Sequence, residues 1–246
     1  MKILVCISKV PDTTAKISFA ENNTRFNEDK VQFIINPYDE WYALVRALEL
    51  KEAEGGSVTV VNVGPASNEQ VIRKALALGA DDAIRINLEP NDAFQVASEI
   101  AAVAEGEQYD LIMTGKETID YNGGVLGGLL AEMLKLPYVS MASKLEKAGN
   151  VLTLEREIEG MKEVVEVNLP CVLSAQKGMS EARIPNMRGI MASKSKPIKV
   201  VEPAGKSPNT RVVAFSLPED KGACKMIPAD DVAHLLELLK NEAKVL

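Results

Sequence analysis

Two pairs of glycines mark the stretch of the chain whose residue types best suit a ligand. Gly123-Gly124 and Gly127-Gly128 lie in the segment YDLIMTGKETIDYNGGVLGGLLAEMLKL, residues 109–136. They follow a short apolar run and precede leucines at helical spacing, which predicts a strand, a glycine-rich turn and the start of a helix. Backbone N–H groups, the helix dipole and the missing Cβ atoms favour a phosphate at such a turn. The spacing is equally typical of glycines that only let a helix pack tightly on a sheet, so both interpretations stay open.

The other residues whose side chains could take part in a reaction do not form a catalytic set. No G-x-G-x-x-G motif follows a predicted strand, and Gly205-Lys206-Ser207 lacks the upstream glycine of a P-loop because Val200 stands there. His234 is the only histidine and falls in a predicted helix, so no serine or cysteine has an evident histidine base. We therefore predict no catalytic residues, and a chain that is not itself an enzyme.

Cysteine usage and charge narrow the possible functions further. Cys6, Cys171 and Cys224 stand far apart without a C-x-x-C motif, which predicts neither a disulfide framework nor a metal site. Cys6 ends the first predicted strand, where a buried wall residue is expected rather than a redox thiol. The net charge of −7 argues against nucleic-acid binding, and no apolar run approaches the ~20 residues of a membrane span. We expect a cytoplasmic protein without membrane insertion.

Strands and helices alternate over the first 143 residues, which predicts an α/β fold with a parallel sheet covered on both faces. The predicted strands are 2–8, 57–64, 82–88, 109–115 and 138–143, and the predicted helices span 36–54, 67–78, 92–104 and the residues before Pro137. Residues 17–19 and 31–35 are expected to pair as extended segments. Asn36 is the expected N-cap of the first helix, with Pro37 at its first position.

The chain changes character after residue 144. Residues 151–158 and 163–169 alternate apolar and charged side chains around Glu159-Gly160, which predicts a β-hairpin with one solvated face. Residues 180–200 carry five basic residues against one acidic residue, and we expect an irregular loop there. A final amphipathic helix is predicted to open at Pro228. Long loops in compact domains are usually functional or contact a partner.

Taken together, the motifs resemble the β subunit of an electron transfer flavoprotein over nearly the whole length. The resemblance rests on KILVCISKVPD, INPYDEW, VVNVGP, RKALALGADDAIRI, GKETID and IPNM, which occur in the family's order and spacing. It implies a three-layer, mostly parallel sheet of the adenine-nucleotide-binding, Rossmann-like type, with a β-hairpin extension and a C-terminal arm. It also implies a heterodimer whose α subunit holds the redox-active FAD. Acyl-CoA or other flavin dehydrogenases would donate electrons transiently, and a quinone-reducing acceptor would receive them.

The resemblance implies that this subunit buries a structural AMP. The implied nucleotide site comprises Cys6, Asn36, Pro37, Tyr38, Asp39, Val63, Gly115, Lys116, Glu117, Thr118, Ile119, Asp120, Tyr121, Asn122, Gly123, Gly124, Val125 and Leu126. The chain departs from the family at Gly124-Val125-Leu126, where many relatives carry polar side chains. Phosphate binding is then left mainly to backbone N–H groups. A second FAD, as in bifurcating members, or an empty site remains open, as does a free-standing AMP- or ATP-binding regulator of the universal-stress-protein type.

A partner-docking segment is implied within residues 180–195. Its apolar anchors and their neighbours would be Ile184, Pro185, Asn186, Met187 and Arg188, with Met191 as a competing anchor. We predict one nucleotide-binding domain over residues 1–200. Residues 201–246 would form an arm and helix that pack on the α subunit.

Overall fold

A nine-stranded sheet organises the computed structural model, which describes residues 1–246. The strands are β1 (Lys2–Cys6), β2 (Lys9–Pro11), β3 (Phe19–Ala20), β4 (Arg25–Phe26), β5 (Phe33–Ile35), β6 (Ser57–Val63), β7 (Asp82–Ile86), β8 (Leu111–Gly115), β9 (Tyr138–Ala148), β10 (Val151–Ile158), β11 (Met161–Asn168), β12 (Cys171–Ala175) and β13 (Ile198–Val201). The helices are α1 (Asp39–Glu54), α2 (Glu69–Leu78), α3 (Ala93–Ala104), α4 (Leu126–Leu134), α5 (Met187–Ser195) and α6 (Val232–Asn241).

The strand order is β11-β10-β9-β12-β8-β1-β6-β7-β13, and neighbouring strands are parallel from β9 to β13. Alternate residues of β1 point to opposite faces. Ile3 and Val5 pack in the apolar layer that contains α1 and α2, whereas Leu4 and Cys6 pack in the layer of α3 and α4. Both faces are therefore covered by helices, and the predicted three-layer, Rossmann-like fold is confirmed.

The predicted β-hairpin is present and extends the sheet with antiparallel strands. β10 pairs with β11 and also with the long β9, so three antiparallel strands form this end of the sheet. Leu152 and Leu154 are buried, while Val164 on the edge strand β11 is exposed. One face of the hairpin therefore joins the core and the other is solvated.

The predicted pairing of residues 17–19 with 31–35 is wrong. Phe19–Ala20 instead pairs with Arg25–Phe26 across the polar turn, and Phe33–Ile35 pairs with Lys9–Pro11. β3 ends at Ala20 and β4 begins five positions later at Arg25, so a short turn brings these strands together. β5 instead pairs with β2, which precedes both of them in the sequence.

Asn36 is not the N-cap of the first helix, which is a second correction. The helix begins at Asp39, and the residue in the N-cap position is Tyr38, whose φ of 66° places it in the left-handed region. The Asn36 side chain bonds to a distant loop instead. The predicted end of the helix is confirmed, since Gly55 follows Glu54 with a positive φ.

Residues 180–200 are more regular than the expected loop. Asn186 caps α5 by accepting a hydrogen bond from the Gly189 N–H at 2.8 Å. The strand β13 then adds to the sheet in parallel beside β7. α5 packs against α2, where a Cβ atom on Gly189 would lie 2.2 Å from the Ala77 carbonyl oxygen.

The chain divides into two compact units, one of residues 1–17 and 27–213 and one of residues 18–26 and 214–246. The first unit thus extends beyond the predicted boundary at residue 200. Its last segment lies along α3, because Glu99 accepts hydrogen bonds from the backbone N–H groups of Ala204 and Lys206. Asp92 likewise accepts from the N–H groups of Asn209 and Thr210.

The second unit contains the β3–β4 pair and α6. Phe19 and Phe215 stack with ring centroids 5.0 Å apart. α6 begins at Val232 rather than at Pro228, because Asp231 caps it by accepting from the His234 N–H. None of its side chains is buried, including Val232, Leu235 and Leu236. No helix of the structure is long and apolar enough to cross a membrane.

Candidate functional site

The predicted nucleotide residues gather at the carboxyl ends of three adjacent strands. β8, β1 and β6 are neighbours in the sheet, and they end at or near Gly115, Cys6 and Val63. Cys6 and Val63 are buried, and burial raises the pKa of the Cys6 thiol well above its usual value. Cys6 is therefore a buried thiol, and burial disfavours its thiolate form. The carboxyl edge of such a sheet is the usual place for a ligand.

Asn36 and Asp39 hold the loop that follows β8. The Asn36 amide donates to the Glu117 carbonyl oxygen at 2.7 Å and accepts from the Ile119 N–H at 3.1 Å. Asp39 accepts from the Glu117 N–H at 3.3 Å. Both side chains thus hold the backbone of the loop. Asp39 does so from the first residue of α1, and Asn36 from the segment that leads into this helix.

The loop between β8 and α4 is closed by its own backbone. The Thr118 N–H donates to the Gly123 carbonyl at 3.3 Å, and Lys116 forms a salt bridge with Glu117. Asp120 accepts from the N–H of Tyr121, whose side chain is 67% exposed. The tip of the loop therefore lies open to solvent.

Backbone N–H groups at the end of this loop are available to a ligand. From Asn122 to Gly128, no N–H donates to an acceptor within the protein. The run includes Leu126 and Gly127, which begin α4, and the N-cap residue Val125, which provides no side-chain cap. Such a run at a helix N-terminus carries partial positive charge and suits an anion.

The glycines separate into packing and open positions. A Cβ atom on Gly127 would lie 2.7 Å from the Tyr138 ring, so Gly127 lets α4 pack on the sheet. A Cβ atom on Gly115 would lie 2.8 Å from Glu40 Cγ, so Gly115 allows α1 to approach β8. Gly123 has only ordinary contacts, and the nearest neighbour of Gly124 is the Lys116 carbonyl oxygen at 3.2 Å. The packing interpretation is therefore supported at Gly127, whereas a phosphate beside Gly123 and Gly124 stays a prediction.

Glu40 is a component of the site that the sequence analysis missed. Its carboxyl group accepts from the Ser8 N–H at 2.6 Å and from the Ser8 hydroxyl at 2.9 Å. Burial raises the pKa of Glu40 to about 8, despite the opposing effect of the Ser8 hydrogen bonds. Burial also raises the pKa of Asp39. The raised pKa favours the uncharged carboxyl group of Glu40, and the uncharged form leaves less negative charge beside the loop. An acidic residue in the first helical turn was its only sequence signal, and such residues are common.

Pro37 and Tyr38 have a different environment from the other predicted nucleotide residues. Both line a cavity of about 950 Å³ beside α1 and α2, together with Trp41 and Tyr42. No hydrogen bond links either residue to the loop of residues 115–126.

The predicted docking residues are strongly exposed. The exposed fractions are 87% for Ile184, 74% for Met187 and 68% for Met191, so none packs into the core. Arg188 is exposed in the first turn of α5, and Pro185 is half-buried. Two neighbouring cations have partners: Arg183 forms a salt bridge with Glu52, and Lys196 binds carbonyl groups of α2 and the turn after it.

Together, the sheet, the loop and the unbonded N–H groups define a Rossmann-like α/β protein with a glycine-rich loop at the carboxyl edge of the sheet. The family model described as "Electron transfer flavoprotein domain" matches residues 24–205. The chain is also 34% identical to "Electron transfer flavoprotein subunit beta" of Bacillus subtilis over the full length of both. It is 36% identical to the protein of that name from Syntrophomonas wolfei, covering 98% of that relative. It is 35% identical to the Homo sapiens protein over 82% of both chains. The chain belongs to the electron transfer flavoprotein family, among its β subunits.

Proposed function

We propose that this chain is the β subunit of a heterodimeric electron transfer flavoprotein. It pairs with an α subunit that holds most of the redox-active FAD, and it contributes no catalytic residue of its own. The heterodimer accepts electrons from acyl-CoA or other flavin dehydrogenases and passes them to a quinone-reducing acceptor. Family membership supports this role. All three cysteines are free thiols, as is usual for proteins of the cytoplasm, and this supports a cytoplasmic location for the subunit.

The subunit binds AMP at the loop of residues 115–126. The observation that supports this best is the run of unbonded N–H groups from Asn122 to Gly128 at the start of α4. The AMP phosphate would accept hydrogen bonds from these groups and interact favourably with the helix dipole. Gly124-Val125-Leu126 offers no polar side chain, so backbone contacts would carry the phosphate. The AMP would have a structural role, as the resemblance to the β subunits of this family implies.

The beginning of α5 and the residues before it dock the partner dehydrogenases. Ile184 and Met187 expose apolar side chains beside Arg188. Exposed apolar anchors with charged neighbours suit a transient interface, in which the anchors fill a pocket and the charges speed the encounter. The Asn186 cap orders the segment before docking, which lowers the entropy lost on binding.

The C-terminal unit packs on the α subunit. Val232, Leu235 and Leu236 are 57%, 41% and 52% exposed, so this apolar stripe of α6 is left uncovered in the chain. Covering such a stripe would remove apolar surface from water and stabilise the assembly.

Mass spectrometry of the nucleotide released when the purified heterodimer is denatured tests the proposed site. We expect one AMP and one FAD per heterodimer. Two FAD molecules without AMP would identify the bifurcating type. A chain that purifies without a flavin-bearing partner and releases ATP or AMP would identify a free-standing regulator.

A further inference from the structure

A large cavity lies away from the loop proposed for AMP. It has a volume of about 950 Å³ and is bounded by β5, the start of α1, one side of α2, and residues between Ala182 and Lys194. Cavities of this size are typical of small-molecule sites.

Aromatic and aliphatic side chains form most of the wall. Tyr38, Trp41 and Tyr42 come from the start of α1, and the rings of Tyr38 and Tyr42 are 6.5 Å apart and tilted by 41°. Ile34 and Ile190 add aliphatic surface from segments that lie far apart in the sequence. Tyr38 is 57% exposed despite its large ring, and its positive φ is a conformation that non-glycine residues rarely adopt. A wall of this kind favours the apolar body of a ligand and offers ring faces for stacking.

All charged groups of the wall are positive. Arg73, Lys74 and Lys194 line the cavity, and no aspartate or glutamate does. Arg73 is already bonded to carbonyl groups at the end of α5. Lys74 and Lys194 make no salt bridge and no hydrogen bond within the protein, although the charge of Lys74 helps to lower the pKa of the Asp12 carboxyl group. Neither ammonium group is held by a protein acceptor, so both are available to a ligand. Cations without a salt-bridge partner beside an apolar wall favour an anionic ligand over a neutral one.

We propose that this cavity binds an amphipathic organic anion. The apolar body of the ligand lies against Tyr38, Trp41 and Tyr42, and its carboxylate, sulfonate or phosphate group interacts with Lys74 and Lys194. The site is separate from the AMP site and does not depend on it. Because Pro185 and Ile190 belong to the wall, a bound ligand also contacts the segment that carries Ile184 and Met187.

Trp41 makes the proposal directly measurable, because it is the only tryptophan in the chain. Its emission should transfer energy to 8-anilinonaphthalene-1-sulfonate bound in the cavity of the full chain, with saturation at one probe per chain. Decanoate should displace the probe, and decanol should do so more weakly because it lacks the charge. A Trp41→Phe protein provides the baseline without a donor.

Matched lysine variants test the assignment of the anionic end. Lys74→Gln combined with Lys194→Gln should weaken decanoate about five- to tenfold and bring its affinity close to that of decanol. Lys199→Gln, an exposed lysine outside the cavity wall, should change neither affinity. Circular dichroism should show that all variants are folded. The proposal is overturned if no saturable energy transfer occurs, or if the double variant binds decanoate like the wild type. It is also overturned if adding the α subunit shields Trp41 and abolishes decanoate binding, since the cavity would then be a subunit interface.

Discussion

Arg73 on α2 and Lys196 directly after α5 each bind carbonyl groups at or just beyond the carboxyl end of the opposite helix. The Arg73 guanidinium, on α2, donates to the carbonyl oxygens of Ser193 and Lys196 at the end of α5. The Lys196 ammonium, just after α5, donates to the carbonyl oxygens of Leu76 and Ala80 at and beyond the end of α2. A cation at the carboxyl end of a helix satisfies unpaired carbonyls and interacts favourably with the dipole. The two residues therefore fix α5 to α2.

Arg73→Ala should loosen α5, because two carbonyl groups lose a charged donor at a partly buried position. We expect a loss of about 1–2 kcal/mol in the free energy of unfolding and faster hydrogen exchange over residues 187–195. Lys196→Ala should have a similar effect. Lys194→Ala serves as the control, since Lys194 has no such bond. Unchanged exchange in both variants would mean that the apolar contact of α5 with α2 suffices.

Gly124→Val and Gly127→Ala should separate ligand binding from packing. A valine at position 124 should obstruct the phosphate and lower the AMP content, with a smaller loss of stability than at position 127, because its Cβ atom meets only the Lys116 carbonyl oxygen, at 3.2 Å. An alanine at position 127 meets the Tyr138 ring, so the protein should lose about 1–3 kcal/mol of stability. Released nucleotide and thermal unfolding are measured on both proteins. Full AMP occupancy in Gly124→Val would show that this glycine is not near the phosphate.

Glu40 should make stability depend on pH. Its pKa is raised to about 8 in the folded protein. At a pH between the ordinary pKa of glutamate and about 8, the folded protein therefore keeps a proton that the unfolded chain has lost. The contribution of Glu40 to the free energy of unfolding is therefore present at low pH, decreases as the pH rises above about 4.5, and is lost once the pH passes about 8. The free energy of unfolding should fall by at most about 1.4 kcal/mol per pH unit in this range. Urea unfolding of Glu40→Gln between pH 6 and 9 should show a flatter profile than wild type, and equal slopes would contradict the assignment.

Ile184→Ala and Met187→Ala should weaken docking of the dehydrogenase. Loss of a well-packed anchor costs about 1–2 kcal/mol, which corresponds to a five- to thirtyfold weaker interaction. Stopped-flow reduction of the heterodimer reports the effect, while AMP content, FAD content and stability should stay nearly constant. Charge reversal at Arg188 should act mainly at low salt, where screening is weak. Wild-type rates for both alanine variants with every candidate dehydrogenase would exclude this segment as the docking site.

Two truncations should distinguish assembly from folding. Deleting residues 214–246 should leave residues 1–213 folded but unable to assemble stably with the α subunit. Deleting residues 205–246 should also reduce stability, because it removes the N–H groups of Asn209 and Thr210 that bind Asp92. Gel filtration with the α subunit and thermal unfolding give the two readouts. Global unfolding of the shorter deletion would show that the C-terminal unit belongs to the folding core.

Features encoded by neighbouring residues were predictable from the sequence. The alternation of strands and helices, the hairpin of β10 and β11, and the glycine after α1 all follow from short-range periodicity and turn chemistry. Asp92 is another example, because its side chain caps α3 by bonding to Gln95 three residues later. The glycine-rich loop was found in the same way, as a strand end followed by a helix start.

Only the tertiary structure decided which residues serve the candidate site and which serve packing. Asn36 bonds to Glu117 across 81 residues, and Arg73 reaches Lys196 across 123, so no local pattern contains either contact. α5 buries only Ser193 and packs against α2, while β13 is four residues long and becomes a strand by pairing with β7. The difference between Gly124 and Gly127 depends on Tyr138, and the raised pKa of Glu40 depends on burial by elements distant in sequence. Sequence periodicity encodes the elements, whereas packing between distant segments determines the environment, and hence the role, of each side chain.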